Sequence, residues 1–136
     1  MSRPVDIFRH DAIDYQVKYV ETTYPNKEVE CDVYEFVDDS SRDLAILYIK
    51  PYGKTPRQRV LLGQETVEGF ISGSGSFYHN GGSYSVDDDS RKEFLVDRKD
   101  IMQWHAGSDG LVCYEICMPP YKDGRFKNLD DSIESI

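Results

Sequence analysis

No apolar stretch in the sequence approaches the ~20 residues that a membrane-spanning helix needs, so no membrane partner of that kind is indicated. The first residues, Met1-Ser2-Arg3-Pro4-Val5-Asp6, lack the apolar core of a signal peptide. Basic residues are few: 16 Lys and Arg stand against 25 Asp and Glu, giving a net charge of −9. A chain of that sign repels polyanions, because nucleic-acid binding relies on Lys and Arg to displace counterions from phosphates. Apart from Arg57-Gln58-Arg59 the basic residues are scattered, which sets aside nucleic acid and anionic membrane surfaces as partners. Cysteine is scarce and odd in number, and Cys31, Cys113 and Cys117 have no zinc-type spacing. They read as reduced thiols of a cytoplasmic protein, with Cys113 and Cys117 as small hydrophobes in an apolar run. A G-x-S-x-G elbow and a phosphate-cradling loop opening a helix are both missing, as is any sustained 3.6-residue period.

What the chain does have is a period of two. Residues 15–20 and 29–37 alternate, and a β-rich run covers 44–50 before Pro51-Tyr52-Gly53. Short strands are expected at 57–62, 65–72, 75–79, 84–86, 93–96, 101–104 and 111–118. The stretch 106–110 separates the last two as a turn. Asn80-Gly81-Gly82 is a strong hairpin signal, since Asn and Gly tolerate positive φ. Short strands at regular intervals with turn residues between them predict an all-β sandwich or barrel. The 136 residues make one domain. Residues 1–20 form an N-terminal arm or strand, and 119–136, opening with Pro119-Pro120, form a tail that wraps the barrel.

Two spacings bring a family into view. Gly53, Arg59, Leu61, Thr66 and Gly73 reproduce the intervals of a G-x5-H-x-H-x3,4-E-x6-G motif. Lys99, His105, Gly107, Gly110 and Tyr114 reproduce those of G-x5-P-x-G-x2-H-x3-N. Over residues 40–120 the chain thus resembles the cupins, whose fold is a double-stranded β-helix, or jelly-roll barrel. In metal-binding cupins the motif His and Glu positions coordinate an ion; here they read Arg59, Leu61, Thr66 and Gly110. Arginine has no lone pair to offer, and Leu and Gly supply no side-chain ligand. The resemblance therefore implies a barrel with neither the usual metal nor another cofactor, unless the register slips and returns His105 to the pocket. Cupins similar to this one commonly pair, and residues 3–20 would be the natural arm of a homodimer.

The barrel interior is then the expected site. Arg57 and Arg59 share a face of their strand and could bind a carboxylate or phosphate; they read equally as rim residues paired with Glu65 or Glu68. Glu68 and Phe70 share a face with Thr66, Tyr48 is expected to point inward, and Trp104 precedes His105 at a strand end. Ligand contacts are accordingly expected from Tyr48, Arg57, Arg59, Glu68, Phe70 and Trp104. Catalytic roles, if any, fall to His105, Glu115 and Tyr114, although a turn role for His105 and structural pairing for Glu115 weigh more. Two functions fit: a metal-free cupin binding an anionic or polar, possibly sugar-derived small molecule, or a metal-independent sugar-phosphate or nucleotide-sugar isomerase or epimerase using His and Tyr proton transfer. A metal-dependent enzyme is the third reading.

Overall fold

The computed structural model describes residues 3–90, 92–121 and 125–129. Among them are ten strands and no helix: β1 Ile7–His10, β2 Ile13–Asn26, β3 Val29–Phe36, β4 Asp39–Ile49, β5 Gln58–Val60, β6 Glu65–His79, β7 Gly82–Val86, β8 Glu93–Val96, β9 Ile101–Met118 and β10 Phe126–Asn128. They form one sheet in the order β1-β2-β3-β4-β9-β5-β10. Strand β6 pairs with β9 along its length and with β7 and β8 on its other side. The Asn80-Gly81 turn expected from the sequence joins β6 to β7, both residues at positive φ.

Two long strands replace four expected short ones. Residues 65–79 run through as β6, and 101–118 as β9, so 106–110 is not a break. Glycine explains why the chain bends there without ending the strand. Gly73, at φ +93, lies opposite Leu111, and a Cβ on it would collide with the carbonyl oxygen of Gly110. Register shifts flank this point, between Phe70 and Ser72 and between Gly73 and Gly75. Each shift of this kind moves a strand's side chains to the opposite face. The apolar pattern follows: Phe70 and Phe77 on β6, and Trp104, Ala106, Leu111 and Cys113 on β9, all join one core despite their mixed parity.

That first core fills the barrel, with Val29 and Cys31 from β3 and Leu47 and Ile49 from β4. A second core covers the opposite face of the same strands. Tyr34, Leu44, Ile46, Val67, Tyr114 and Ile116 pack there under Phe8 and Val17 of the first two strands. Residues 3–20 thus fold back on their own barrel. Burying a ring such as Phe8 contributes about 2 kcal/mol to holding that hairpin down. From the tail, β10 adds to β5, and Leu129 N donates to the Arg57 carbonyl; residues 122–124 and 130–136 of the expected wrap lie outside the described residues.

Candidate functional site

Strand parity decides which side chains meet inside. On β9, Cys113, Glu115 and Cys117 face the interior while Val112, Tyr114 and Ile116 face the outer core. On β6, Thr66, Glu68 and Phe70 face inward, and Glu68 stands directly opposite Glu115 in the ladder. A cleft of about 1330 Å³ opens into this space. Its inner wall is made by Cys31, Val33, Ala45 and Leu47, with Glu68, Glu115 and Trp104 beyond them.

Glu68 is 1% exposed, and its Oε1 accepts a hydrogen bond from Trp104 Nε1 at 2.8 Å. Its Oε2 meets no donor. Burial pushes the Glu68 carboxyl well above the usual carboxylate range, and the neighbouring Glu115 pushes the same way. Cys117 Sγ approaches Glu115 Oε1 at 3.6 Å. Asp43, further along β4, is raised by burial despite a hydrogen bond from Tyr121 N at 2.9 Å. Trp104 is itself held from both sides: Thr55 Oγ1 accepts from its backbone N at 2.9 Å, and Phe77 packs on its ring at a centroid distance of 4.5 Å.

Of the nine residues singled out from the sequence, the structure brings Glu68, Phe70, Trp104 and Glu115 to the interior. Tyr48 does not point inward. It lies on the outer face beneath the Arg3 guanidinium, 3.7 Å from its ring centre, because Leu47 and Ile49 take the inward positions of β4. Tyr114 is also outward, its hydroxyl donating to Glu93 Oε1 at 2.9 Å. His105 alternates with the inward Trp104, sharing a hydrogen bond with Gln103 Oε1 at 2.9 Å and packing on Tyr78. Arg57 and Arg59 are half-buried beside the inward Val60 and the cleft-lining Gln58, and neither lines the cleft.

Sequence reasoning missed Asp43, Thr55, Gln103 and Arg125. Asp43 has the parity of Ala45 and Leu47 and could have been found that way. Arg125 could not: it comes from the tail, is 2% exposed, and donates to the carbonyls of Pro119 and Glu65 and to Thr66 Oγ1, all within 2.9 Å.

The donor set does not fit the metal that many cupins hold. Thr66 is committed to Arg125, Leu61 is 43% exposed, and Gly110 has no side chain. None of His10, His79 and His105 lines the cleft. Among the described residues the one group of three possible ligands close enough for an ion is His10, Asp11 and Glu93, outside the barrel. There His10 Nε2 already meets Glu93 Oε1, which also takes the Tyr114 hydroxyl.

No family model and no curated protein matches the sequence. Solved structures do resemble the fold. A single-residue variant of Pac13 from Streptomyces, solved with uridine, superposes with a TM-score of 0.65 at 14% identity over 85% of this chain and 89% of that one. Rru_A2000 from Rhodospirillum rubrum, a cupin-2 domain, gives 0.66 at 14% identity over 96% and 86%. KdgF from Halomonas gives 0.59 at 8% identity over 76% and 89%. Likeness at such identities is a likeness of architecture, and with the jelly-roll strand order it establishes that this chain has the cupin fold.

Proposed function

We propose that the barrel of this protein is a binding site for a polar small molecule, which enters the cleft and meets Glu115 above the buried Glu68 and Trp104. The observation that carries this reading is the carboxyl pair. A structural barrel filled for stability alone would place apolar side chains at two facing interior positions, since burying a carboxyl without a matched partner is costly. Polar groups converging in a largely apolar concavity are the usual makings of a small-molecule site. Pac13, a nucleoside dehydratase that has been solved with uridine, is a precedent on this fold for a small polar ligand. The lining gives no support to an anionic ligand, because Arg57 and Arg59 stand outside it.

Trp104 is the single tryptophan of the chain and a lining residue, so its emission reports on occupancy. Titration with a panel of nucleosides, monosaccharides and small polar amines is expected to give a saturable change with at least one class. Ala45→Phe, which fills the cleft without altering charge, is expected to abolish it. A saturable response that survives Ala45→Phe places the ligand elsewhere and ends the proposal, as does a silent panel.

The carboxyl pair also favours a second reading, acid–base turnover of that ligand. Here Glu115 exchanges a proton with the ligand and the buried Glu68, opposite it in the ladder, is a positioning residue. Roles assigned from sequence to His105 and Tyr114 pass to these two carboxyls. Incubation of bound ligand in D2O is expected to introduce deuterium at a carbon position, and Glu115→Gln to stop it. Binding without deuterium uptake leaves the binding function alone.

A further inference from the structure

The cleft carries a charge pattern that the fold itself does not need. Glu35 and Asp43 line it from β3 and β4, Glu68 and Glu115 form its floor, and Asp38 and Asp39 stand at its mouth. One basic residue, Arg42, is among the described lining residues. It is committed: its Nε lies 3.0 Å from Asp39 Oδ2, and its guanidinium covers the Phe36 ring at 4.2 Å. Arg125 lies behind Thr66, spent on backbone carbonyls.

Resting on the reading of this cleft as a small-molecule site, we propose that its ligand is an organic cation, a molecule with an ammonium group or a protonated ring nitrogen held against Glu115 and Glu68. Acidic residues at a surface prove little, but Glu68 is not at a surface. It is 1% exposed, it lines the cleft, and its Oε2 has no donor. A buried carboxyl in that state lacks a positive partner, and the bound cation supplies one. Low-dielectric walls focus the field of the other carboxylates onto the same point. Aromatic groups at the opening complete the match. Tyr121 and Phe126 stack with centroids 5.8 Å apart on one side of the cleft, a surface that attracts cations as well as apolar groups.

The test compares choline with 3,3-dimethylbutan-1-ol, its uncharged isostere, and with ribose 5-phosphate. All are titrated against Trp104 emission at constant ionic strength. Choline is expected to half-saturate at a concentration at least about tenfold below the alcohol, ribose 5-phosphate to give no response, and the choline response to be lost in Glu115→Gln. It is also expected to weaken as sodium chloride rises, which carries the test should the variant not fold. An alcohol that binds as well as choline, ribose 5-phosphate binding where choline does not, or choline binding indifferent to salt overturns the cation and leaves the small-molecule reading standing. Silence towards all three, together with a silent panel of polar molecules, overturns both.

Discussion

Glu68 on β6 and Glu115 on β9 are directly opposed in the ladder, both turned into the barrel, with Trp104 Nε1 donating to the first and Cys117 Sγ to the second. Like charges in facing positions of a sheet repel, and burial magnifies the effect. Burial and the neighbouring Glu115 push the Glu68 carboxyl up towards its neutral form, which relieves the repulsion. Stability, and the charge offered to a ligand, both follow from when the Glu68 proton leaves.

The first prediction concerns pH. The fold raises the Glu68 carboxyl above its ordinary value of 4.5, through burial first and Glu115 second. The folded state therefore holds a proton that the unfolded chain releases. Stability from this group is full below the unfolded value and is lost as pH rises through the folded one. Facing it are Glu115, Cys31, Cys113 and Cys117, while Asp43 and Arg125 act on Cys117. Glu68→Gln keeps an acceptor for Trp104 Nε1 and removes the titration. Urea melts are expected to show the variant level with wild type near pH 4.5 and more stable at neutral pH. The gap should grow by up to about 1.4 kcal/mol per pH unit inside the window. A difference that stays flat across that range would show that burial does not hold a proton on Glu68.

A second prediction joins Gly63 and Arg125. Gly63 has φ +101, and a Cβ there would overlap the Arg125 guanidinium, which lies flat against it. Arg125→Met removes the guanidinium that serves the Pro119 and Glu65 carbonyls and Thr66 Oγ1, at a cost on the order of 3 kcal/mol. Gly63→Ala is expected to destabilise both by backbone strain and by displacing the same guanidinium. The double variant should then cost less than the two single changes combined, by about 1 kcal/mol or more. Additive losses in a denaturant cycle would mean that Gly63 does not seat Arg125.

How far the sequence could be read is visible in single strands. Alternation placed Thr66, Glu68 and Phe70 on one face, and that face does turn into the barrel; the same period sets Cys113, Glu115 and Cys117 together on β9. The same rule, applied strictly, sends His105 outward once Trp104 is inward, because neighbours on a strand cannot both enter the core. Tyr48 was beyond its reach: β4 is apolar on both faces, and the outer one is buried only because the N-terminal hairpin returns to cover it. Motif spacing placed Arg59 and Leu61 at pocket positions, yet β5 ends at Val60, which itself fills the core. Long-range pairing of β6 with β9 across the glycine bend, and the arrival of Arg125 from the tail, leave no local signature.

Thiol chemistry supplies the third prediction. Burial pushes the Cys31 thiol up to about 12, and burial raises Cys113 and Cys117 well above their ordinary range, with the charge of Glu115 adding to each. All three are unpaired with one another and buried. Thiolate is the reactive form, so the folded protein is expected to react with an aromatic disulfide reagent at neutral pH at least about a hundredfold more slowly than the urea-unfolded chain. Fast modification of even one thiol in the native state would show that the cleft admits the reagent and that its local field is not acidic.

The N-terminal hairpin gives the last prediction. Arg3 is far from the barrel in sequence, but its Nε and a terminal nitrogen each lie 2.9 Å from the two oxygens of Asp32, and a further contact reaches Glu30 at 3.0 Å. Asp32 is 2% exposed. Burial alone would raise its carboxyl; the hydrogen bonds from Arg3 and Thr22 prevail and hold it below the usual 3.8. The sign is opposite to that of Glu68: this group stabilises the fold above the unfolded value and ceases to as pH falls through the folded one. Arg3→Ala leaves Asp32 buried without its cation, and with the arginine one-third exposed the expected cost is about 2–3 kcal/mol at neutral pH. Amide exchange should localise the loss to β1 and the start of β2 rather than to β6 and β9. Asp32→Asn in the Arg3→Ala background should recover part of the stability, since the uncompensated charge is then gone. If that second change only adds to the damage, the pair is not what fastens the hairpin, and the packing of Phe8 against Tyr114 and Phe36 carries it instead.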